Sequence, residues 1–389
     1  MNSFHRPYEK VESNLWGGTC HAGTPPAISA FIAKFSPVLT GKLRRLNQVI
    51  RIGFVALTDC APLVMASELG LFEEHGLTVE LSREIGWATI REKVTYGELE
   101  AAHAPAGLLL AAVAGLGGIR AACLTGIVLN LHGNAITLSQ RLWEAGVRDG
   151  GTLREHVRRT RRPLTLGYVC QWSSHPVLLR FWLSQHGLDL ARDVEFVVVP
   201  PSQVVRHLGA GHLDGFCVGE PWNSLAVMAG SGWVVARSAE IAPSHPEKVL
   251  MVHEDFANRM DQQHTALIAA LLESAHFCDE PANRDRIVAT LARPEYVGSA
   301  ADAIRRGMQA HFDFGNGRVE QCPGFSIFAR DNAARPDAEK AEWVARGLVS
   351  SGLAKASELP RRTAVKCFRE DIFARAVTLA KPALIPSAA

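Results

Sequence analysis

Apolar and polar positions change their period several times along this chain. Val49 to Leu57 (VIRIGFVAL) is a β-branched run of strand length. Ala61 to His75 (APLVMASELGLFEEH) follows with helical spacing and stops at Gly76. Leu77 to Leu81 reads as the next strand, Ala88 to Tyr96 as an amphipathic helix, Leu99 to Ala104 as a short strand and Leu108 to Ala114 as a helix. After an arginine-rich stretch the alternation restarts. Leu164 to Val169, Val194 to Val199 and Leu213 to Val218 read as strands, and Pro176 to His186 and Gln203 to Leu208 as helices between them. A strand at Val249 to Val252 leads into a long helical region, His264 to Ala292, and the remaining C-terminal part is helical in composition. Strand and helix alternating at short spacing predict an α/β fold with mostly parallel sheets, here as two lobes in series.

Composition supports two lobes and narrows the rest little. The 389 residues exceed one ordinary domain, and 47% hydrophobic with 21% charged residues is normal for a globular chain that buries a sizeable core. A formal charge of +2 gives no overall field that favours nucleic acid or membrane. The eight cysteines are dispersed, with no C-x-x-C pair and no ligand-like Cys/His spacing. They read as free, mostly buried thiols of a reducing compartment, and neither a metal nor a cofactor is expected. No apolar run approaches the roughly 18 residues of a membrane span. Residues 1–47 read as a weakly structured extension, and Met1 to Gly23 is polar and carries Glu9 and Glu12. Arg44 and Arg45 follow the moderately apolar stretch Ala27 to Leu39 instead of preceding it. These features are read as the lack of an export signal, and a cytoplasmic protein is expected.

In open α/β sheets, ligands bind beyond the carboxyl ends of strands, where helix N-termini offer free N–H groups and partial positive charge. That arrangement is an anion site before any side chain is considered. Thr58, Asn134 and His175 fall at or beside such ends, with Thr58-Asp59 placed where a helix cap belongs. Trp87 offers an indole donor with a flat apolar body, or else it is a core residue. His175, just before Pro176, offers a ring donor or caps its helix. Asn134 offers an amide donor, with Gly133 beside it allowing close backbone approach. Lys248 is a point charge for an oxyanion, or a solvated loop lysine. Pro201 and Glu220 follow strands and are expected to line a cleft, Glu220 as a lobe-bridging acid. Arg154, Arg158, Arg159, Arg161 and Arg162 form a local basic run, read as a solvated helix end or as a docking face for an acidic partner or RNA. No aromatic residue interleaves with it to support direct nucleic-acid binding. No nucleophile–base–orienter set is visible, so no enzyme activity is expected.

Several separated segments together resemble one family. They are Val49 to Phe54 (VIRIGF), Gly86-Trp87-Ala88-Thr89, Thr125 to Ser139 (TGIVLNLHGNAITLS), His175, Gly215 to Trp222 (GFCVGEPW) and His245 to Lys248 (HPEK). The family is the nitrate/nitrite/bicarbonate-binding solute receptors (NrtA/CmpA-like), and the resemblance runs over about Val49 to Phe373. It implies a two-lobed periplasmic-binding-protein-like fold of type II, with the ligand cleft between the lobes. Lobe 1 would hold residues 48–140 and 236–389, and lobe 2, residues 141–235, would be inserted between them. It implies Trp87, Asn134, His175 and Lys248 as nitrate or nitrite ligands, although the family commonly carries glutamine where this chain has Asn134.

Taken with the N-terminal reading, it implies the cytoplasmic NasS-type sensor branch. The partner would be an ANTAR-domain RNA-binding antiterminator (NasT-type), released on anion binding. The alternative is an exported nitrate- or bicarbonate-binding receptor of an ABC transporter. A calcium-assisted bicarbonate site would use carboxylates such as Glu220, whereas nitrate, an acceptor only, suits a pocket of donors alone. Lys248→Ala is expected to abolish the anion response and leave the fold intact. A pyrimidine synthase related to thiamin biosynthesis shares the architecture, but it uses clustered cysteine and histidine that this chain lacks.

Overall fold

The computed structural model describes residues 48–309 and 311–381, so the extension expected at 1–47 lies outside the described residues. Two sheets organise residues 48–381. The first runs β2 (Val79–Glu84), β1 (Ile50–Val55), β3 (Ala101–Pro105), β11 (Pro246–His253), β5 (Val128–His132) and β14 (Ser326–Ile327), with β4 (Cys123–Leu124) pairing beside β11. The second runs β8 (Val194–Val198), β7 (Leu164–Tyr168), β9 (Gly215–Gly219), β6 (Asn134–Ser139) and β10 (Gly232–Arg237). In each sheet three strands are parallel and the next is antiparallel: β11 against β3 in the first, β6 against β9 in the second. The two antiparallel strands are the ones that follow the chain's crossings between sheets. Equivalent strand orders in the two sheets give the two-lobed fold anticipated from sequence.

The crossings lie a few residues from where sequence placed them. Asn134–Ser139 pairs wholly within the second sheet, so the outward crossing falls at Gly133 and not after residue 140. The return falls between Arg237 and Pro246. His132 and Gly133 both take positive φ, 59° and 87°, which turns the chain out of one sheet and into the other. A Cβ on Gly133 would lie 2.8 Å from Ser326 Oγ, so glycine also permits the packing there.

Burial explains the strand registers. Along β11, Leu250 and Val252 face one core and Val249 and Met251 face the other, and β9 likewise sends Cys217 to one side and Phe216 and Val218 to the other. The predicted helix Ala61 to His75 is broken at Gly70, φ 72°, into Ala61–Glu68 and Leu71–Glu74. His264 to Ala292 is broken at Glu280-Pro281 into Asp261–Asp279 and Arg284–Leu291. The C-terminal part is not helical throughout. A hairpin, β12 (His311–Gly315) and β13 (Arg318–Gln321), packs Phe312 and Phe314 with Phe325 against Ala135 and Val234 of the second sheet. Its aromatic alternation is too short to separate from helix by period alone. The seven cysteines among the described residues are buried and unpaired. Among the described residues no helix is long and apolar enough to cross a membrane. The arginine run lies at the exposed end of helix Gly150–Thr160, where Arg162 approaches Asp214 at 3.6 Å.

The lobes meet closely at Gly107, in helix Ala106–Ala114, where an added Cβ would lie 2.3 Å from the carbonyl oxygen of Trp172. The oxygen is a backbone atom and the Cβ position is fixed by the backbone that bears it, so relief requires the lobes to separate. Gly107→Ala is expected to cost about 1–3 kcal/mol in the closed arrangement. Small-angle scattering should report a larger radius of gyration than wild type, and unchanged scattering and stability would refute the contact.

Candidate functional site

The ends of β1, β3, β6 and β11 and the starts of two helices converge on a buried polar cluster. Asp59 lies in the short turn Thr58–Cys60 after β1, and His103 is in β3. Glu247 and Lys248 open β11, and Asn134 opens β6. Ser174 and His175 begin helix Ser174–Gln185, whose cap Ser173 accepts the His175 backbone N–H at 3.3 Å. Trp87 begins helix Trp87–Thr95. All of these side chains are buried. The structure thus brings Trp87, Asn134, His175 and Lys248 together.

The Lys248 ammonium donates to Asp59 Oδ2 at 2.7 Å and to Glu247 Oε1 at 2.8 Å. It also lies 5.5 Å from the centre of the Trp87 ring. Glu247 accepts the Ser174 hydroxyl, Ser174 Oγ accepts the Asn134 amide at 3.1 Å, and Asn134 Oδ1 faces His175 Nε2 at 3.0 Å. His175 Nε2 is also 3.7 Å from Glu247 Oε1. His103 Nε2 is 3.1 Å from Asp59 Oδ1, at an angle that leaves both without a hydrogen bond. Trp87 and His103 rings approach to 5.9 Å. The Trp87 indole N–H and His175 Nδ1 are buried without protein partners among the described residues. Lys248 has three N–H groups and uses two of them on carboxylates.

Burial alone would discharge these groups, and mutual attraction keeps three of them ionised. Desolvation pushes Lys248 down, but Asp59 and Glu247 outweigh it and leave its pKa above the ordinary value. Desolvation likewise pushes both carboxyls up. Lys248 and His103 hold Asp59 well below the usual range, and Lys248, His175 and His245 hold Glu247 near 2. For His175 the balance goes the other way: burial, helped by Lys248, outweighs Glu247 and Asp59 and takes it down to about 4, so its imidazole is neutral at pH 7.

Two expectations are therefore corrected. The pocket was expected to present donors alone, yet Asp59 and Glu247 lie within it as acceptors. Lys248→Ala was expected to leave the fold intact, yet Lys248 is fully buried and doubly paired, so its loss strands two buried carboxylates. The secondary candidates lie around the cluster. The Thr58 N–H and hydroxyl donate to the Glu220 carbonyl at 2.9 and 3.3 Å, joining the lobes. Gly133 is a crossing residue whose N–H goes to Phe325. Pro201 starts helix Pro201–Gly209 and, with Trp87, Arg91, Trp172 and Val198, lines an open groove of about 620 Å³ between the lobes. The Glu220 carboxylate accepts from Ser224 N–H at 3.1 Å and packs against Gly307, whose added Cβ would lie 2.5 Å from Glu220 Cγ. Burial raises its pKa to about 7.

Sequence reasoning missed Asp59, His103, Ser174 and Glu247 as members of the site. Asp59 was read as a helix cap, but no side-chain cap bond forms there. Glu247 stood in the HPEK segment without a role. A charge next to Lys248 on a buried strand was the available signal, since two buried charges require each other.

Two outcomes follow from burial. Lys248→Ala leaves Asp59 and Glu247 as buried charges without their counter-ion, so it is expected to cost about 3–5 kcal/mol at neutral pH. Urea unfolding should show that loss easing toward pH 5, as the stranded carboxyls protonate; a variant as stable as wild type would contradict the ion-pair geometry. For Glu220, the folded-state pKa lies above the unfolded value of about 4.5, so its contribution is full below that pH and is lost as pH rises through about 7. Glu220→Gln should flatten the fall in unfolding free energy between pH 5 and 8, by at most about 3 kcal/mol in urea titrations, and parallel profiles would refute the assignment.

Residues 46–292 match the NMT1-like family. The chain is 38% identical to the nitrate import ATP-binding protein NrtC of Synechocystis sp. (strain ATCC 27184 / PCC 6803 / Kazusa) over 82% of its own length, covering 48% of that protein. It therefore spans about half the length of the first curated relatives it matches. It is 28% identical to the nitrate/nitrite binding protein NrtA of Synechococcus elongatus (strain ATCC 33912 / PCC 7942 / FACHB-805), over 84% of this chain and 77% of that one. The crystal structure of the periplasmic nitrate-binding protein NrtA from Synechocystis PCC 6803 superposes with a TM-score of 0.81 at 26% identity, covering 87% of this chain and 91% of that one. Neighbours at lower identity share the fold alone. They include the alkanesulfonate-binding protein SsuA from Xanthomonas axonopodis pv. citri, at 17% and TM-score 0.61, and the desulfurization enzyme DSZB, at 13% and 0.56. By the match that spans both lobes, the chain belongs to the NMT1-like family.

Proposed function

We propose that this chain binds a small monovalent oxyanion, nitrate or nitrite, between its two lobes. The observation that carries this reading is the set of buried donors left over where the lobes meet: the third Lys248 N–H and the Trp87 indole N–H, with the His103 and His175 rings beside them. An oxyanion supplies the acceptors those donors lack, in a site shielded from water. Relatives whose names state nitrate or nitrite binding support this choice of ligand. Asp59 and Glu247 also offer acceptors to the O–H of bicarbonate, so bicarbonate competes more closely than a pocket of donors alone would allow.

We further propose that the protein is a cytoplasmic sensor. Anion binding favours lobe closure, and closure changes the surface seen by an RNA-binding ANTAR-domain antiterminator (NasT-type) held by the anion-free form. Linkage requires that partner and anion weaken each other by the same factor. The alternative, a substrate-binding component of an ABC importer, is favoured by similarity to relatives named for nitrate import and bicarbonate transport. Both readings use the same site and differ in partner and compartment. The proposed role is binding without catalysis, and no cofactor enters it.

Calorimetry with nitrate, nitrite and bicarbonate tests the ligand. Trp87→Phe removes one donor to a charged acceptor and should weaken nitrate binding roughly 10- to 100-fold, about 1.5–3 kcal/mol. Wild-type affinity in that variant, or tighter bicarbonate than nitrate, would reject the reading. Titrating nitrate into a purified complex with the antiterminator tests the sensor role: undiminished association at saturating anion removes it, and export of the chain on cell fractionation favours the importer.

A further inference from the structure

The hydrogen bonds of the site fix which nitrogen of His175 carries a proton. Glu247 is ionised and only accepts, so the Ser174 hydroxyl donates to it. Ser174 Oγ must then accept from the Asn134 Nδ2 group, which orients that amide and leaves Oδ1 facing His175. Asn134 Oδ1 accepts, so His175 Nε2 holds the hydrogen. A neutral ring with its proton on Nε2 has a bare lone pair at Nδ1, and Nδ1 is buried with no protein partner among the described residues. An anion placed against that lone pair is repelled.

A charge count leads independently to the same point. Asp59 and Glu247 carry two negative charges and Lys248 one positive charge, all inside the site. With His175 and His245 neutral these three ions sum to −1, and a bare monovalent anion adds a second net negative charge away from water, which is costly. The other groups near His175 do not offset this. Cys170 and Cys217, whose thiol pKa values burial raises, are neutral, and so is His245, 3.9 Å from Glu247 and held near 3 by burial. His103 Nε2 lies 3.1 Å from Asp59 Oδ1, the oxygen that Lys248 does not engage. Glu220 is turned toward Gly307 and Ser224, away from the cluster.

We propose, building on the oxyanion reading above, that the site takes up its anion together with one proton, placed on Nδ1 of His175. The ring then donates from both nitrogens, Nε2 to Asn134 and Nδ1 to the anion, and binding leaves the net charge of the site unchanged. The proton comes from solvent and no covalent bond of the ligand changes. An oxyanion that carries its own O–H is different. Bicarbonate donates that hydrogen to the bare Nδ1 of neutral His175 and needs no proton from solvent. His175 therefore sorts acceptor-only anions from hydrogen-bearing ones through pH.

The sign follows from the two pKa values. The free site's His175 sits near 4 and the anion complex's must be higher. Nitrate binding is therefore strongest below about 4, weakens about tenfold per pH unit as pH rises from there, and levels off only above the pKa of the complex.

Calorimetry of the whole chain with sodium nitrate, in buffers of different ionisation enthalpy at pH 8, reads the proton count directly. About one proton should be taken up per nitrate, and the dissociation constant should rise about tenfold from pH 7 to pH 8. Sodium bicarbonate at pH 8 should bind with no uptake. Nitrate binding with no proton uptake and constant affinity over that range overturns the proposal while leaving the oxyanion reading standing. Absence of nitrate and nitrite binding at every pH overturns the oxyanion reading itself. His175→Gln, a donor that does not titrate, should lose the uptake and the pH dependence, and uptake that persists in it moves the proton elsewhere and refutes the assignment.

Discussion

The ammonium of Lys248, held between Asp59 and Glu247 where no solvent reaches it, constrains everything built around it. Each of these ions would cost several kcal/mol to bury alone, and their attraction offsets that only while the geometry stays good and the remaining lone pairs are occupied. Glu247 meets the second requirement through Ser174, which engages Asn134 and, through it, His175. One buried charge thus sets the rotamers and proton positions of a chain of polar groups that reaches from one lobe into the other. The network limits which side chains can change singly, because removing one member strands the next.

The topology makes this convergence possible. The chain leaves the first sheet at Gly133 and re-enters it at Pro246, so Asn134 and Glu247-Lys248 sit close to the two crossings. Asp59 and His175 come from strand-to-helix turns on opposite lobes, at positions equivalent in the two sheets. A further excursion, helix Ala301–Met308 and the hairpin His311–Gln321, carries C-terminal chain onto the second lobe. Phe312 and Phe314 fill an apolar patch there beside Ala135 and Val234. The hinge is therefore braced by packing as well as by the crossings.

The strands and helices of both lobes were legible because apolar period and turn residues agree over most of the chain. β1, β7 and β8 fall where the apolar runs placed them. Boundaries failed where one residue acts through φ. Gly70 breaks a helix that periodicity alone continues, and His132-Gly133 moves β6 into the other sheet. Trp87, Asn134, His175 and Lys248 were singled out through short segments, and the structure places them close together. Their acidic partners were not found, because Asp59 has the local signature of a helix cap, and its true partner, Lys248, is 189 residues away. His103 gave no signal at all: a histidine in a short apolar strand looks the same in sequence whether it faces a site or a core.

How the charges are divided between the lobes decides what opening the cleft would cost. Asp59, His103, Glu247 and Lys248 all belong to the first lobe, and the second contributes Asn134, Ser174 and His175, none of them charged at neutral pH. Separating the lobes therefore breaks no ion pair of this cluster. It breaks the bond from Ser174 to Glu247 and those from Thr58 to the Glu220 carbonyl, and it returns three ions to water, which hydrates them favourably. Closure must overcome that hydration with the apolar surface the lobes share, where Val177, Phe216 and Val218 pack in one cluster with Val249, Met251 and Val344. A ligand that adds bonds to Lys248 and Trp87 on one side and to His175 on the other binds the closed form better than the open one, which is the differential affinity any two-state switch requires. The salt bridge, confined to one lobe, keeps the first half of the site assembled while the second half moves.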